Sequence, residues 1–249
     1  MSKTFWDKSP MAIAHRGGDG AGLEEENTLK AFRAAWKNGL KYGETDVILS
    51  ADGQVVAIHG SRNSLQAGLK GDISRRRLQA MTLAEIRNAV DIKGIKVATL
   101  EEILTALPRM KFLIDPKTDE VVLPLARLLK KLNALERVCV GSFSYDRVRH
   151  LMKLTKNSRV RTSFIIGRGF RLANKGVLML KTGRLTDIEA VQLHHSLVSK
   201  EMVDLAHSRG FKALVWTANS PLAIKNALNC GADGIISDRL DLLERLSKK

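Results

Sequence analysis

Two kinds of hydrophobic pattern alternate along this chain. Short continuous apolar runs, typical of buried strands, are followed by longer segments in which apolar residues recur at helical spacing. The alternation repeats roughly eight times, and no Gly-rich dinucleotide-binding turn accompanies it. This pattern predicts an α/β protein, a closed (βα)8 TIM barrel in which each parallel strand is followed by a helix.

The predicted elements cover most of the sequence. Strands are predicted over residues 11–14, 42–49, 54–59, 112–115, 138–142, 160–166, 191–193, 213–216 and 234–237. Helices are predicted over residues 29–38, 121–132, 148–156 and 200–208, and from residues 82, 99, 221 and 238 onward. Residues 60–98 interrupt the alternation, and we interpret them as a small insertion after the second βα unit. Since one barrel commonly has this length, residues 1–249 are predicted to form a single domain.

The net charge of the chain says more about its binding partners than its overall composition does. Hydrophobic residues make up 44% of the chain and charged residues 27%, as in ordinary soluble proteins. Lys and Arg number 41 against 26 Asp and Glu, which gives a formal charge of +15, with dense clusters at 75–77 and 147–175. Such a field favours phosphate-bearing small molecules and weak contact with an anionic membrane, although a basic surface is often only a solvated one. No RNA-binding motif accompanies it, so no specific nucleic acid is expected, and the oligomeric state stays open.

The amino-terminal sequence and the cysteines bear on the compartment. The first residues, MSKTFWDKSP, lack the apolar core and cleavage site of a signal peptide, and no apolar run is long enough to cross a membrane. Cys139 and Cys230 fit small buried thiols better than a disulfide framework. We therefore expect a cytoplasmic protein.

Chemistry-bearing residues cluster at the first three predicted strands. His15 follows the first strand and precedes Arg16, whose planar fork suits two phosphate oxygens. Glu44 and Asp46 stand two apart in the second strand, so their carboxylates point the same way and can share one hard cation. His59 closes the third strand. Two histidines near a carboxylate pair predict metal-assisted phosphodiester hydrolysis with general acid and base catalysis.

Later strand ends extend this candidate site. Asp115 ends a strand and Lys117 lies two residues on, so a further oxygen ligand and a phosphate-pairing ammonium are close together. Trp216, at a later strand end, is a candidate apolar wall for a small substrate. Each residue alone has a plainer interpretation, such as a core tryptophan, a helix-capping aspartate or a surface lysine. The adjacent His194 and His195 are expected near the mouth without a direct catalytic role.

Several short segments, spread over nearly the whole chain, resemble one enzyme family in order and spacing. They are HRG, EENT, GETDV, ADGQVVAIH, VATLEEIL, FLIDPK, GSFS, ALVWTANS and GADGIISD. The family is the glycerophosphodiester phosphodiesterases. The resemblance implies a (βα)8 barrel, one divalent cation, Ca²⁺ or Mg²⁺, and hydrolysis of glycerophosphodiesters to sn-glycerol 3-phosphate and an alcohol.

Carried over position by position, the resemblance implies individual roles. His15 and His59 match the catalytic histidine pair, and Glu44 and Asp46 match two metal ligands. The third ligand is a glutamate in most members and is Asp115 here, which is one methylene shorter but still suits an oxygen-loving cation. Which histidine is the acid and which the base is left open.

Other functions stay open beside this one. Arg16 and Lys117 are expected to stabilise negative charge on the phosphate, and Trp216 to bind the substrate. The aspartate that usually follows the second histidine is Gly60 here, which leaves the pKa and the position of His59 to other groups. The alternatives are a lysophospholipase D-like activity on lysophospholipids and a catalytically weakened phosphate-ligand binding protein.

Overall fold

Eight parallel strands close into a barrel in the computed structural model, which describes residues 5–7, 10–22, 25–60, 75–90, 96–156, 160–168 and 170–247. The strands are β1 (Met11–His15), β2 (Tyr42–Leu49), β3 (Val55–Ala57), β4 (Lys111–Pro116), β5 (Val138–Ser142), β6 (Arg161–Ile166), β7 (Ala190–His194), β8 (Lys212–Trp216) and β9 (Gly234–Ser237). Strand β1 pairs in parallel with both β2 and β9, which closes the ring, whereas β3 runs antiparallel to the end of β2 outside it. The predicted (βα)8 barrel is confirmed.

Helices connect successive strands on the outside of the barrel. They are α1 (Leu29–Lys37), α2 (Arg75–Gln79), α3 (Leu83–Val90), α4 (Leu100–Ala106), α5 (Val122–Lys131), α6 (Tyr145–Leu154), α7 (Phe170–Lys181), α8 (Lys200–Ser208), α9 (Pro221–Asn229) and α10 (Leu240–Ser247). Thr28, rather than Asn27, caps α1, and Thr99 forms a capping box with Glu102 at the start of α4. Because Ser144 caps α6, that helix begins at Tyr145 and not at the predicted residue 148.

The insertion falls within the predicted residues 60–98 and lies inside the second βα unit, before the helix of that unit. Its described part contains α2 and α3, and it lies between β2 and α4, which is the helix that leads into β4. The insertion therefore separates the second strand from its own helix. Residues 61–74 and 91–95 lie outside the described residues.

Helix α7 is not among the predicted elements, because a glycine interrupts its helical pattern of apolar residues. Gly176 lies in its middle, where glycine is a poor helix former. A Cβ at Gly176 would come within 2.9 Å of the Ile166 side chain, so the helix needs a residue without a side chain to pack against β6. Packing thus overrides local propensity here.

The end of the barrel at which the strands begin is closed by residues 5–7. Phe5 is only 1% exposed and packs edge-on against Tyr42 at the start of β2. Its carbonyl oxygen accepts hydrogen bonds from the Tyr42 hydroxyl and from Lys111 Nζ, each at 2.5 Å, and Lys111 also pairs with Asp7 at 2.9 Å. These contacts form a floor at the end of the barrel opposite the carboxyl ends of the strands.

Replacing Phe5 by alanine is expected to lower the free energy of unfolding by about 3 kcal/mol, because the large buried ring leaves a cavity. Urea unfolding followed by circular dichroism measures the change. Leu222→Ala is the control, since Leu222 is 76% exposed on α9, and its effect should stay within about 0.5 kcal/mol. Equal losses in the two variants would contradict the role of residues 5–7 as a packed floor.

The structure bears on two further expectations, the state of the cysteines and the presence of membrane-spanning helices. Cys139 is buried in the barrel interior, Cys230 is half-buried at the end of α9, and both are free thiols. No helix in the described ranges combines the length and the apolar character that a bilayer crossing requires.

Candidate active site

A small cavity of about 170 Å³ opens at the carboxyl ends of the barrel strands. All eight predicted site residues line it: His15, Arg16, Glu44, Asp46, His59, Asp115, Lys117 and Trp216. Residues from five separate parts of the sequence therefore meet in one place. This is the end of the barrel at which enzymes of this fold carry out their chemistry.

Strand register explains how the acidic residues come together. Strand β2 lies between β1 and β4, with His15 beside Glu44 and Asp46 beside Asp115. Neighbours in register on parallel strands point to the same face, and residues two apart on one strand do so as well. His15 and the three carboxylates consequently face the barrel interior together.

Two basic side chains pair with some of the three carboxylates more closely than with others. Lys117 Nζ lies 2.5 Å from Asp46 Oδ1 and 2.5 Å from Asp115 Oδ2, and Arg16 Nε lies 2.8 Å from Asp46 Oδ2. Burial acts to raise the pKa of Asp46, but Arg16 and Lys117 outweigh it and hold that pKa well below its usual range. Burial, followed by the Asp46 charge, raises the pKa of Glu44 to about 7. Burial also raises the pKa of Asp115 in spite of the nearby Lys117 ammonium.

The three carboxylates fit a hard divalent cation by donor type. Ca²⁺ and Mg²⁺ prefer carboxylate oxygens, and Asp115 Oδ1 is a buried acceptor to which no described residue donates a hydrogen bond. The positive charge between Asp46 and Asp115 is supplied by Lys117. As the side chains stand, the described residues form no cluster of three or more His, Cys, Asp or Glu side chains arranged for a metal ion.

The loop after β1 is shaped to bring Arg16 into the cavity. Arg16 and Gly17 adopt positive φ angles of 52° and 92°, and a Cβ at Gly17 would come within 2.6 Å of the Ala31 Cβ. Asn27, also at positive φ, accepts hydrogen bonds from the Thr45 hydroxyl at 2.9 Å and from a β2 backbone amide. The EENT segment therefore fastens this loop to the strand that carries the acidic pair.

His15 is held by a residue from the far end of the chain. Its Nδ1 lies 2.6 Å from Asp238 Oδ1, and since a carboxylate only accepts, Nδ1 carries the hydrogen. Nε2 is then the atom that faces the cavity, 3.7 Å from Glu44 Oε2. Burial and Arg16 act to lower the pKa of His15, but Asp238 and Glu44 outweigh them and raise it. Asn219 in turn bonds the Asp238 carboxylate and backbone amide.

Sequence reasoning missed Asp238. The pattern predicts a helix from residue 238, whereas α10 begins at Leu240 and leaves Asp238 at the carboxyl end of β9. The available signal was the polar pair Ser237-Asp238 directly after a buried strand, which is where the other site residues occur. The contact itself spans 223 residues and exists only because β9 closes the barrel against β1.

His59 reaches the same cavity from outside the ring of parallel strands. It follows β3, which is paired with the end of β2, and so the hairpin carries it over the acidic residues. Gly60 adopts a φ of 60°, a conformation that glycine takes at little cost. The glycine that stands here in place of the usual aspartate therefore suits the backbone conformation of the loop.

The opposite wall of the cavity is mainly apolar. Trp216 forms part of it, with its Nε1 donating to the Gln192 carbonyl oxygen at 3.1 Å and its ring edge-on to Phe143 at 5.5 Å. His194 packs edge-on against Trp216, and His195 stacks on His194. Burial, with His195 next, lowers the pKa of His194 to about 4, so it is neutral near pH 7. The two histidines therefore support the wall from behind.

A second, larger cavity of about 620 Å³ lies outside the barrel beside α1 and α4. The residues that line it do not include any of the eight predicted site residues. Four of its six charged side chains are paired, Lys30 with Glu25 at 2.7 Å and Arg87 with Glu102 at 2.8 Å. Its larger volume alone would make this groove the candidate active site, but the histidines and the three carboxylates of the predicted site line the smaller cavity.

Comparison with known proteins agrees with this geometry. Residues 15–242 match the model of the glycerophosphoryl diester phosphodiesterase family. The chain belongs to this family. The family predicted from the sequence motifs is thereby confirmed, and so is the enzyme class, a phosphoric diester hydrolase.

Relatives cover the glycerophosphodiester phosphodiesterase chain almost end to end. A Mycobacterium tuberculosis protein named probable glycerophosphodiester phosphodiesterase 2 is 35% identical over 243 residues, which span 94% of this chain and 89% of the relative. The human protein named lysophospholipase D GDPD1 is 25% identical over 264 residues, 91% of this chain and 82% of its own. An Oleispira antarctica phosphodiesterase, solved in complex with the product sn-glycerol-3-phosphate, has a TM-score of 0.72 at 21% identity and covers 96% of this chain and 97% of its own.

Proposed function

We propose that this enzyme hydrolyses glycerophosphodiesters to sn-glycerol 3-phosphate and an alcohol, with a bound divalent cation and with His15 and His59 as the proton-transfer pair. The observation that carries the proposal is the single cavity in which both histidines, three carboxylates and two basic side chains meet. Family membership and the product held by the Oleispira antarctica relative support the substrate class.

Glu44, Asp46 and Asp115 are the proposed ligands of one cation, Ca²⁺ or Mg²⁺. Their support is the shared register of β2 and β4 and the unpaired buried acceptor on Asp115. When bound, such a cation supplies charge neutralisation at a phosphate oxygen.

Arg16 and Lys117 are the proposed phosphate-binding groups. Both are already held in place by Asp46, so their positive charges point into the cavity before a substrate arrives. Donors positioned in advance stabilise the negative charge that develops on the phosphorus centre. Trp216 is proposed to pack against the substrate beside them.

The histidines are proposed to move the two protons of the reaction. One takes a proton from the attacking oxygen, which belongs to water or to the glycerol 2-hydroxyl, as the new P–O bond forms. The other gives a proton to the alcohol oxygen as its bond to phosphorus breaks. With water as nucleophile this step yields sn-glycerol 3-phosphate directly. With the 2-hydroxyl it yields a cyclic phosphate, which water then opens with the two histidines in exchanged roles, so the protons balance in both cases. For His15 the transferring atom is Nε2, because Asp238 engages Nδ1.

Asp238→Asn is expected to lower kcat by about 10-fold or more, since an amide can donate to His15 Nδ1 and so stabilise the wrong tautomer. The measurement is the kcat and KM of each variant for glycerophosphocholine. Asp241→Asn is the matched control, because it removes the same charge from an exposed position on α10. An Asp238→Asn enzyme as active as the Asp241→Asn enzyme would contradict the positioning role of Asp238.

A panel of substrates tests the proposed function against its alternatives. The purified enzyme is incubated with glycerophosphocholine, glycerophosphoethanolamine and lysophosphatidylcholine, each with Ca²⁺, Mg²⁺ or a chelator, and glycerol phosphate and free headgroup are measured. We expect metal-dependent glycerol phosphate from the first two. Product from lysophosphatidylcholine alone would favour a lysophospholipase D-like activity, in line with the name of the human relative. No product from any substrate would favour a phosphate-ligand binding protein.

A further inference from the structure

The cavity has two chemically unlike halves. The half built from β1, β2, β4 and the loops beside them carries all the charged side chains among the described residues that line the cavity. The half built from β5 to β9 contributes Phe143, Ile165, Trp216, Ile236 and a single amide, Gln192. A phosphodiester has a charged centre and two uncharged arms, so its phosphate belongs in the first half and one arm in the second.

Gln192 is a buried polar residue in the middle of β7, between Val191 and Leu193. It is 4% exposed, and its Nε2 donates to the Ser163 hydroxyl of β6 at 2.8 Å. Gly141 of β5 lies beside Ser163, and a Cβ there would come within 2.6 Å of Gln192 Nε2, so the glycine leaves room for the amide. The hydrogen bond to Ser163 therefore orients the amide nitrogen toward β6 and β5.

The other end of this amide is the part that a ligand can use. Gln192 lines the cavity, and no described residue donates a hydrogen bond to its Oε1. This oxygen is accessible from the cavity, so a ligand hydroxyl can donate to it. A ligand that covered it without donating would bury an unpaired acceptor, which costs free energy. An apolar wall with one fixed acceptor is thus suited to a polyol whose C–H edges pack on aromatic rings while a hydroxyl donates to the amide.

The size of the cavity limits how much of the substrate it can enclose. Its volume of about 170 Å³ is below the roughly 300–1,000 Å³ of sites that enclose drug-sized ligands. Only one small arm fits beside the phosphate, and glycerol is the arm that all glycerophosphodiesters share. The variable alcohol then extends toward the mouth.

We propose that Gln192 is a specificity-determining residue that selects the glycerol arm of the substrate by accepting a hydrogen bond from one of its hydroxyls. This inference rests on the proposed function of the same cavity. Discrimination follows because an arm without hydroxyls would bury Oε1 with no donor, and sites built around a buried polar group reject analogues that lack the matching group.

The test compares two ligands that differ only in hydroxyls. Binding of sn-glycerol 3-phosphate and of n-propyl phosphate is measured by calorimetry, with Mg²⁺ or Ca²⁺ present, so that the readout does not depend on which oxygen attacks in catalysis. We expect the wild-type enzyme to bind the glycerol compound at least about fivefold more tightly. In Gln192→Met, which keeps the length of the side chain but removes the acceptor, the ratio should fall to within about twofold.

Two further variants keep the test decisive. Gln54→Met makes the same replacement on the exposed turn before β3 and should leave the ratio at its wild-type value. Ser163→Ala releases the amide without removing it and should give an intermediate ratio, which also serves if Gln192→Met does not fold. A wild-type ratio near one, or an unchanged ratio in Gln192→Met and Ser163→Ala, would overturn the role of Gln192. If neither ligand binds the wild-type enzyme, the proposed function itself fails.

Discussion

Replacing His15 or His59 by glutamine is expected to lower kcat by about 10²–10⁴-fold, because the reaction then lacks one of its two proton-transfer groups. Both side chains line the cavity beside the acidic residues, and His15 Nε2 faces it because Asp238 holds Nδ1. Glutamine keeps much of the volume but does not titrate near neutral pH. The measurement is the release of choline from glycerophosphocholine at saturating substrate.

The matched control for these variants is His150→Gln, since His150 is exposed on α6 away from the cavity. Its kcat should equal that of the wild-type enzyme. The double variant His15→Gln/His59→Gln should lose little more than either single one, because residues that act as a unit are strongly non-additive. A single histidine variant with wild-type kcat would remove that histidine from the proton-transfer pair.

Removal of the divalent cation, or replacement of Glu44 by glutamine, is expected to lower activity by at least about 10³-fold, since charge neutralisation at a transferring phosphoryl group contributes several kcal/mol. The loss caused by a chelator should be reversed by added Ca²⁺ or Mg²⁺, whereas the loss in Glu44→Gln should not. Binding of the metal ion, measured by calorimetry, should weaken in parallel with the loss of activity.

Glu44 is a better test position than Asp46. Asp46 is paired with both Arg16 and Lys117, so its removal would take one carboxylate partner from each of two buried cations and would destabilise the fold as well. Glu201→Gln, an exposed change on α8, controls for the loss of one carboxylate. Glu44→Gln with the activity and metal affinity of this control would contradict the proposed ligand set.

Much of the barrel could be predicted because local patterns and tertiary packing agree. The bounds of β2 and α8 coincide with the prediction, since the strand is buried along nearly its whole length and the helix has a Ser199 cap and a regular apolar face. The prediction and the structure differ where tertiary packing alone determines the local structure. Helix α7 contains a glycine that only its contact with Ile166 explains, and α10 begins late because Asp238 bonds His15 instead.

The candidate site was predictable to the extent that its residues lie at strand ends. Parallel strands of a barrel present their carboxyl ends on one face, so His15, Asp115 and Trp216 were expected to converge. Gln192 and Asp238 were not identified, because their meaning depends on which side chain faces which neighbour across the barrel. A glutamine within a buried strand was the visible signal for the former. The catalytic and binding roles of all these residues stay predictions.

Phosphorus NMR of purified enzyme with glycerophosphocholine, in the presence of Mg²⁺ or Ca²⁺, tests the proposed reaction most directly. We expect the diester resonance to be replaced by that of sn-glycerol 3-phosphate, a chelator to stop the conversion, and the His15→Gln enzyme to leave the diester intact. Conversion that continues at the same rate with the chelator, or formation of phosphocholine in place of sn-glycerol 3-phosphate, would contradict the proposed reaction.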